Sequence, residues 1–328
     1  MSILNRNKTY IIAEAGSNFN QDLDMAKKLV ITAKECGADA IKFQLFKASV
    51  LYPEKNSTAY SVTKENEFPR EWVKEISEYA KSHEIDFLAT PFDHEAIDIL
   101  DNIDIKFFKW GSSETTNKKL LFYVASKQRP IILSTGMCTM TDISEAIEIL
   151  ENNNCNDIAV LQCHSLYPTK YEDVNLNVMK NLGSTFNKLY GISDHSLGIS
   201  IPIAAAALGA SIVEKHITLD KNQSGPDHFY ALEPHDFKSM VENIRNVNSA
   251  LGTSTKQIFE EEKFYGRRNG IYTNKDLQKN HILTLDDLTI KRPAVSIPQR
   301  FVDVVIGSKL NTDIKKNMPI YWNNISYK

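Results

Sequence analysis

No apolar run in this 328-residue sequence is long enough to cross a bilayer. The most apolar stretch, 201–213, is short and interrupted by Gly209 and Ser211, whereas a span needs about 20 consecutive apolar residues. Residues 1–9 are polar and lack an apolar core behind a basic start, so no secretory signal is expected. Basic charge is not in excess either: 38 Lys and Arg stand against 41 Asp and Glu. This balance excludes a general nucleic-acid binder but leaves room for a local basic pocket. Cysteine is scarce, and Cys36, Cys138, Cys155 and Cys163 form no Cys-x-x-Cys pair or dense framework. They read as reduced, mostly buried thiols of a cytoplasmic protein. A Gly-x-Gly-x-x-Gly fingerprint is also missing, which weighs against a doubly wound dinucleotide fold.

What is present is a regular alternation. Short β-rich apolar runs at 10–16, 40–46, 86–92, 105–111, 130–136, 158–163, 188–193 and 211–217 are each followed by an amphipathic helical stretch, such as 23–36 ahead of Gly37. Apolar residues make up 42% of the chain, enough for a large core. Eight strand–helix units within about 250 residues predict a (β/α)8 TIM barrel. The connection 47–69 is long, polar and turn-rich, and is expected to be a lid at the barrel mouth or an insertion without function. The expected organisation is a barrel over 1–252, a linker over 253–266 and a small β-rich domain over 267–328. The last carries a weak repeat: Asp276-Leu-Gln-Lys-Asn-His-Ile-Leu returns as Asp313-Ile-Lys-Lys-Asn-Met-Pro-Ile, with Asn280 and Asn317 at left-handed turn positions. A domain this small has little core of its own and is expected to pack on something larger.

Chemistry in such a barrel gathers at the C-terminal strand ends. Those ends supply Glu14; Lys42 and Gln44, alternate residues on one face; Thr90; Lys109, Ser112 and Glu114; Ser134; Ser165 and Tyr167; Ser193, Asp194 and His195; and His216. His195 and His216 close consecutive parallel strands and emerge at the same end, so two neutral imidazoles make half of a site for a borderline divalent metal. Two unrelated histidines, one packed and one exposed, is the competing reading. Lys42 and Lys109 with nearby hydroxyls suit a phosphate and carboxylate pocket, and a lysine inside so apolar a run as 40–46 is costly without a partner. Glu14 and Glu114 are candidate acid or base groups, or the ion-pair partners of those lysines. Asp194 is a candidate to orient a histidine.

Several motifs carry a family resemblance. Ile12-Ala-Glu-Ala-Gly-Ser-Asn, Ile41-Lys-Phe-Gln, Ala89-Thr-Pro-Phe, Ser134-Thr-Gly-Met, Tyr167-Pro-Thr, Gly191-Ile-Ser-Asp-His-Ser, Glu214-Lys-His-Ile-Thr and Gly225-Pro-Asp-His occur in order along nearly the whole chain. Together they resemble the sialic acid synthase family of N-acetylneuraminate, legionaminate and pseudaminate synthases. The C-terminal part, with Ile290-Lys-Arg-Pro, is similar to the family's antifreeze-like (SAF) domain. The resemblance implies a transferase that condenses phosphoenolpyruvate with an N-acetylated amino sugar such as N-acetylmannosamine, or with a diacetamido-trideoxyhexose, giving a nine-carbon 2-keto acid and phosphate. It implies a divalent metal, Mn2+ or Mg2+, held at His195 and His216. Lys42, Thr90, Lys109, Ser112 and Ser193 would hold phosphoenolpyruvate. Gln44, Tyr167 and Asp227 would hold the sugar, with Ser165 nearby, and Glu14 and Glu114 would serve the proton and water steps. It also implies a domain-swapped homodimer in which Arg292 reaches the partner's sugar site. Phe19, Trp110, Ser113 and Ser165 depart from the commoner pattern and bear on substrate identity more than on reaction type. A Schiff-base aldolase using Lys42 or Lys109, a metal-dependent hydrolase and a non-catalytic sugar-binding barrel are the alternatives on the same residues.

Overall fold

The computed structural model describes residues 8–53, 57–264 and 267–326. The chain divides into two compact units, Met1–Gly252 and Thr253–Lys328.

The first unit carries eight parallel strands: β1 (Tyr10–Glu14), β2 (Ala40–Leu45), β3 (Asp86–Pro91), β4 (Phe108–Trp110), β5 (Ile131–Ser134), β6 (Ile158–Cys163), β7 (Leu189–Asp194) and β8 (Ile212–His216). Their order, β3-β2-β1-β8-β7-β6-β5-β4, runs round a nearly closed barrel. The seam lies between β3 and β4, the two ends of that order. There β4 is shorter than the 105–111 expected from sequence. The reason is local: the Ile105 N–H donates to Leu100 O at 3.2 Å, so this part of the segment terminates the preceding helix.

The outer layer is α1 (Leu23–Glu35), α2 (Ala48–Leu51), α3 (Thr58–Glu65), α4 (Trp72–Ser82), α5 (His94–Asn102), α6 (Lys118–Ala125), α7 (Met140–Asn152), α8 (Asn177–Phe186), α9 (Ser200–Ala207) and α10 (Pro234–Leu251). Side-chain caps start several of them. Asp22 accepts from the Asp24 and Met25 N–H groups, Asp93 from Ala96, and Thr139 closes a capping box with Asp142. The apolar stripes of α1 (Ala26, Leu29, Val30, Ala33) and α10 (Phe237, Met240, Val241, Ile244) join the barrel core. Among the described residues no helix is long and apolar enough to cross a membrane.

The connection 47–69 is not irregular: it holds α2 and α3. Residues 54–56 of it lie outside the described residues. Its far end is pinned by Phe68, which is buried against Phe19, Phe43 and Trp72. Phe19 therefore has a packing role in this chain.

The second unit begins with a short helix, Glu260–Phe264, inside the expected linker, and pairs β9 (Gly270–Thr273) antiparallel with β10 (Leu288–Lys291). The internal repeat pairs with itself. Leu277 and Ile314 bridge antiparallel, the Lys279 N–H donates to Asp313, and the Lys316 N–H donates to Asp276. Asn280 and Asn317 both take the expected left-handed conformation, with φ of 72° and 65°. Ile271, Leu277, Leu283, Ile297, Leu310, Ile314 and Ile320 are among the residues of its small core.

Candidate active site

Strand register brings the site together. In β1, Glu14 lies opposite Lys42 of β2 on one side and His216 of β8 on the other. Gln44 lies opposite Thr90, and Ser193 opposite Glu214. Alternate residues of a strand share one face, so these side chains point into the barrel while their neighbours in sequence pack outward. The result at the C-terminal mouth is a cavity of about 280 Å³. It is lined by Glu14, Lys42, Gln44, Thr90, Lys109, Ser112, Ser134, Ser165, Tyr167, Ser193, His195, Glu214 and His216, together with Phe92, Gly111, Ser113, Met137 and Cys163.

Its floor is a buried charge network. Lys42 Nζ lies 2.7 Å from Glu14 Oε2 and 3.7 Å from Glu214 Oε1, and Lys109 Nζ lies 3.7 Å from Glu214 Oε2. Lys42 also donates to Thr90 Oγ1 at 3.2 Å, and Lys109 to Ser134 Oγ at 2.6 Å. Ser193 donates to Glu214 at 3.0 Å and Gln44 to Glu14 at 2.7 Å. Burial pushes the Glu14 carboxyl well above its ordinary range, against Lys42 and with the help of Glu214. Burial acts on Glu214 in the same direction, but Lys109 and Lys42 together outweigh it and hold that carboxylate low. Burial pushes Lys109 below its ordinary value, whereas for Lys42 it is outweighed by Glu14 and Glu214. Two carboxyls side by side are thus driven apart in proton affinity, which suits one as a proton carrier and the other as a fixed counter-charge. Glu214 Oε2 is buried without a hydrogen-bond partner, an acceptor left over on the cavity floor.

The histidines sit on one wall, with ring centroids 5.5 Å apart. His195 Nδ1 faces the His164 carbonyl at 2.6 Å, and a carbonyl only accepts, so Nδ1 carries the proton and Nε2 the lone pair. Burial lowers His216 to about 4, so it is neutral at neutral pH. Tyr167 stacks on His195 at 4.2 Å between ring centroids.

Three residues expected at the barrel mouth, Glu114, Asp227 and Asp194, stand apart from this lining. Glu114 accepts from Asn117 Nδ2 at 2.7 Å at the turn leading into α6. Asp227 has both oxygens engaged: Oδ1 by the Tyr230 hydroxyl at 2.7 Å and Oδ2 by the Ser17 N–H at 2.8 Å. Arg292 belongs to the second unit, where its Nε donates to Asn269 at 3.1 Å. Asp194 orients no imidazole. It takes Lys215 Nζ at 2.6 Å and the N–H and hydroxyl of Ser196, a buried pair on the outward face of β7 and β8. Glu214 is the main lining residue absent from the expected set. Glu214 was signalled by its position two residues before His216 on the same strand face.

The NeuB family model matches residues 29–256. The chain belongs to the NeuB family. A SAF domain model matches residues 268–326. The chain is 43% identical to an uncharacterized protein of Methanocaldococcus jannaschii over 97% of its own length and 94% of that protein. It is 38% identical to the N,N'-diacetyllegionaminic acid synthase of Legionella pneumophila, over 96% of this chain and 94% of the relative. The crystal structure of an N-acetylneuraminic acid synthetase from Leptospira borgpetersenii superposes with a TM-score of 0.75 at 32% identity, covering 79% of this chain and 90% of that one. This is the family expected from the motifs, and this NeuB protein is an enzyme, a phosphoenolpyruvate-dependent condensing synthase.

The family implies a metal. Among the described residues no group of three or more His, Cys, Asp or Glu side chains is arranged to hold one. The donor set is nonetheless suitable in kind: two imidazoles facing a cavity, His216 neutral at neutral pH and His195 with its Nδ1–H committed to a carbonyl so that Nε2 is left for an ion. Such a pair suits an ion whose remaining positions are filled by water or substrate.

Proposed function

We propose that this NeuB enzyme joins phosphoenolpyruvate to the aldehyde of an open-chain, N-acetylated amino sugar. Carbon 3 of phosphoenolpyruvate bonds to the aldehyde carbon, the oxygen of water ends on carbon 2, and phosphate leaves. A six-carbon acceptor then gives a nine-carbon 2-keto acid. The observation that carries this reading is the convergence of two buried lysines, two buried glutamates and two buried histidines on one cavity.

Lys42 and Lys109 hold the phosphate and carboxylate, with Thr90, Ser112 and Ser193 as hydroxyl partners. Glu14, kept partly protonated by burial, gives a proton to the aldehyde oxygen as it becomes an alcohol. Gln44 holds its Oε1 and Lys42 lies against Oε2, so the carboxyl is fixed in orientation. His195 and His216 hold the divalent ion, which when bound supplies Lewis acidity toward the aldehyde. Gln44, Ser165, Tyr167 and Asp227 remain candidates for the sugar, Asp227 through the lone pairs that Tyr230 and Ser17 leave open. Glu114 keeps Oε1 for the reaction while Oε2 is held by Asn117. N-acetylmannosamine is one acceptor. A 2,4-diacetamido-trideoxyhexose is the second reading, favoured by the extent of the match to the legionaminic acid synthase.

The test is purified protein with phosphoenolpyruvate and Mn2+, offered both acceptors and scored by phosphate release and product mass. A product heavier than the acceptor by the pyruvate unit is expected. Borohydride trapping of pyruvate on Lys42 or Lys109 would replace this reading with an aldolase.

The same proposal includes a barrel over 1–252, a linker over 253–266 and a SAF domain over 267–328, assembled as a domain-swapped homodimer. Exposed Leu166, Tyr167, Leu197 and Phe229 at the barrel mouth support it, as does the small core of the second unit. Arg292→Ala is expected to raise the KM for the sugar about tenfold, the loss of one charged hydrogen bond, and to leave that for phosphoenolpyruvate nearly unchanged. Equal loss for both substrates counts against the swapped arrangement. A cytoplasmic location agrees with the four free cysteines.

A further inference from the structure

His216 has a partner on the side of its ring that carries Nδ1. The Tyr230 hydroxyl lies 3.4 Å from Nδ1, and the same hydroxyl donates to Asp227 Oδ1 at 2.7 Å. Tyr230 is buried, and its ring packs 4.9 Å from that of His216. A phenol has one proton. Here that proton is committed to a carboxylate, so the oxygen can only accept from the imidazole. We propose that Tyr230 and Asp227 form a relay that fixes His216 as its Nδ1–H tautomer and so keeps the Nε2 lone pair for the divalent ion. This rests on the metal reading above, but the tautomer exists with or without metal.

A second observation shows that the relay is built. The loop after β1 must pass between Asp227 and His216, and it does so at Gly16, whose φ is +51°. A Cβ there would come within 2.5 Å of Asp227 Oδ2 and 3.2 Å of His216 Nδ1. The adjacent Ser17 N–H holds Asp227 Oδ2 at 2.8 Å. The carboxylate is therefore fixed at both oxygens and aimed at Tyr230. His195 reaches the same tautomer by another route, through the His164 carbonyl, so both imidazoles present the same nitrogen. Outer partners of this kind change metal affinity by about 10- to 100-fold. Tyr230 and Asp227 are positioning residues in this scheme. Asp227 then acts on the metal ligand through Tyr230, in addition to any contact it makes with the sugar.

The variant is Tyr230→Phe, which removes one oxygen and keeps the ring. Two readouts are taken on the full-length protein. The first is the 15N chemical shifts of the His216 ring nitrogens in metal-free protein, with histidine-selective labelling and His216→Gln for assignment. Wild type is expected to show a protonated Nδ1, and Tyr230→Phe a mixture of tautomers. The second is Mn2+ affinity by calorimetry, expected to fall about tenfold in Tyr230→Phe. An unchanged tautomer in the variant overturns the relay, whatever the metal does. If wild type binds no Mn2+, the metal reading fails while the nitrogen shifts still decide the tautomer claim. Asp227→Asn, whose amide oxygen can still accept from Tyr230, is expected to retain the Nδ1–H tautomer at lower occupancy. A wild-type spectrum there would remove Asp227 from the relay.

Discussion

His216→Ala is expected to abolish metal-dependent turnover while the protein still folds. Losing an inner ligand should exceed the roughly 100-fold upper end of the effect of outer partners. His216 stands at the last position of β8, on the cavity wall, and its side chain is held by ring contacts and one long hydrogen bond. Its removal therefore enlarges an existing cavity and leaves the barrel core intact. The pH dependence has a definite sign. Burial lowers the folded-state pKa to about 4, so the His216 lone pair itself stays free from neutral pH down toward that value, and protonation of His216 weakens Mn2+ binding there. Calorimetric Mn2+ titration and phosphate release check both statements. Undiminished turnover in His216→Ala would take His216 out of the ligand set.

Glu214→Gln is expected to produce the largest loss of stability among the site variants. The Glu214 carboxylate is the counter-charge for both Lys42 and Lys109 and is itself buried. Removing one member of a buried network leaves cations without compensation, at a cost of roughly 3 kcal/mol or more, equivalent to a melting temperature lower by about 6 °C. Burial alone would raise its pKa, but Lys109 and Lys42 reverse this and hold it well below the ordinary carboxylate range, at about 2. A depressed folded-state pKa contributes stability that is complete above the unfolded value and is lost as pH falls through the folded one. The gap between wild type and Glu214→Gln should therefore be widest near neutrality and close on acidification. Thermal melts from pH 7 to pH 3 measure it. Added phosphoenolpyruvate should stabilise the variant more than wild type, because its negative charges take the place of the missing carboxylate. A gap independent of pH would show that Glu214 acts through packing alone.

Much of the site was legible because a parallel barrel converts sequence position into spatial position. Once eight strands are placed, every C-terminal end faces the same mouth, and period-two alternation selects the inward side chains. Lys42, Gln44, Thr90, Lys109, Ser193, His195 and His216 were found in this way and line the cavity together. Glu114, read from a strand end in the same way, and Asp227, taken from the family resemblance, do not line it. Each stands in a turn, where periodicity says nothing about direction and a nearby donor decides: Asn117 for Glu114, Ser17 and Tyr230 for Asp227. Asp194 and Lys215 point outward for the same alternation that sends Ser193, Glu214 and His216 inward.

By itself the sequence determined the family, the eight-stranded barrel and which residues face its mouth, because strand period and strand count are local properties repeated along the chain. Only the tertiary structure decided which lysine pairs with which glutamate, which nitrogen each histidine offers, and that Tyr230 stands behind His216. Those depend on distances of a few ångströms between residues up to about 200 positions apart in sequence. Burial then sets the charge of each group from its surroundings in space, which no single segment encodes.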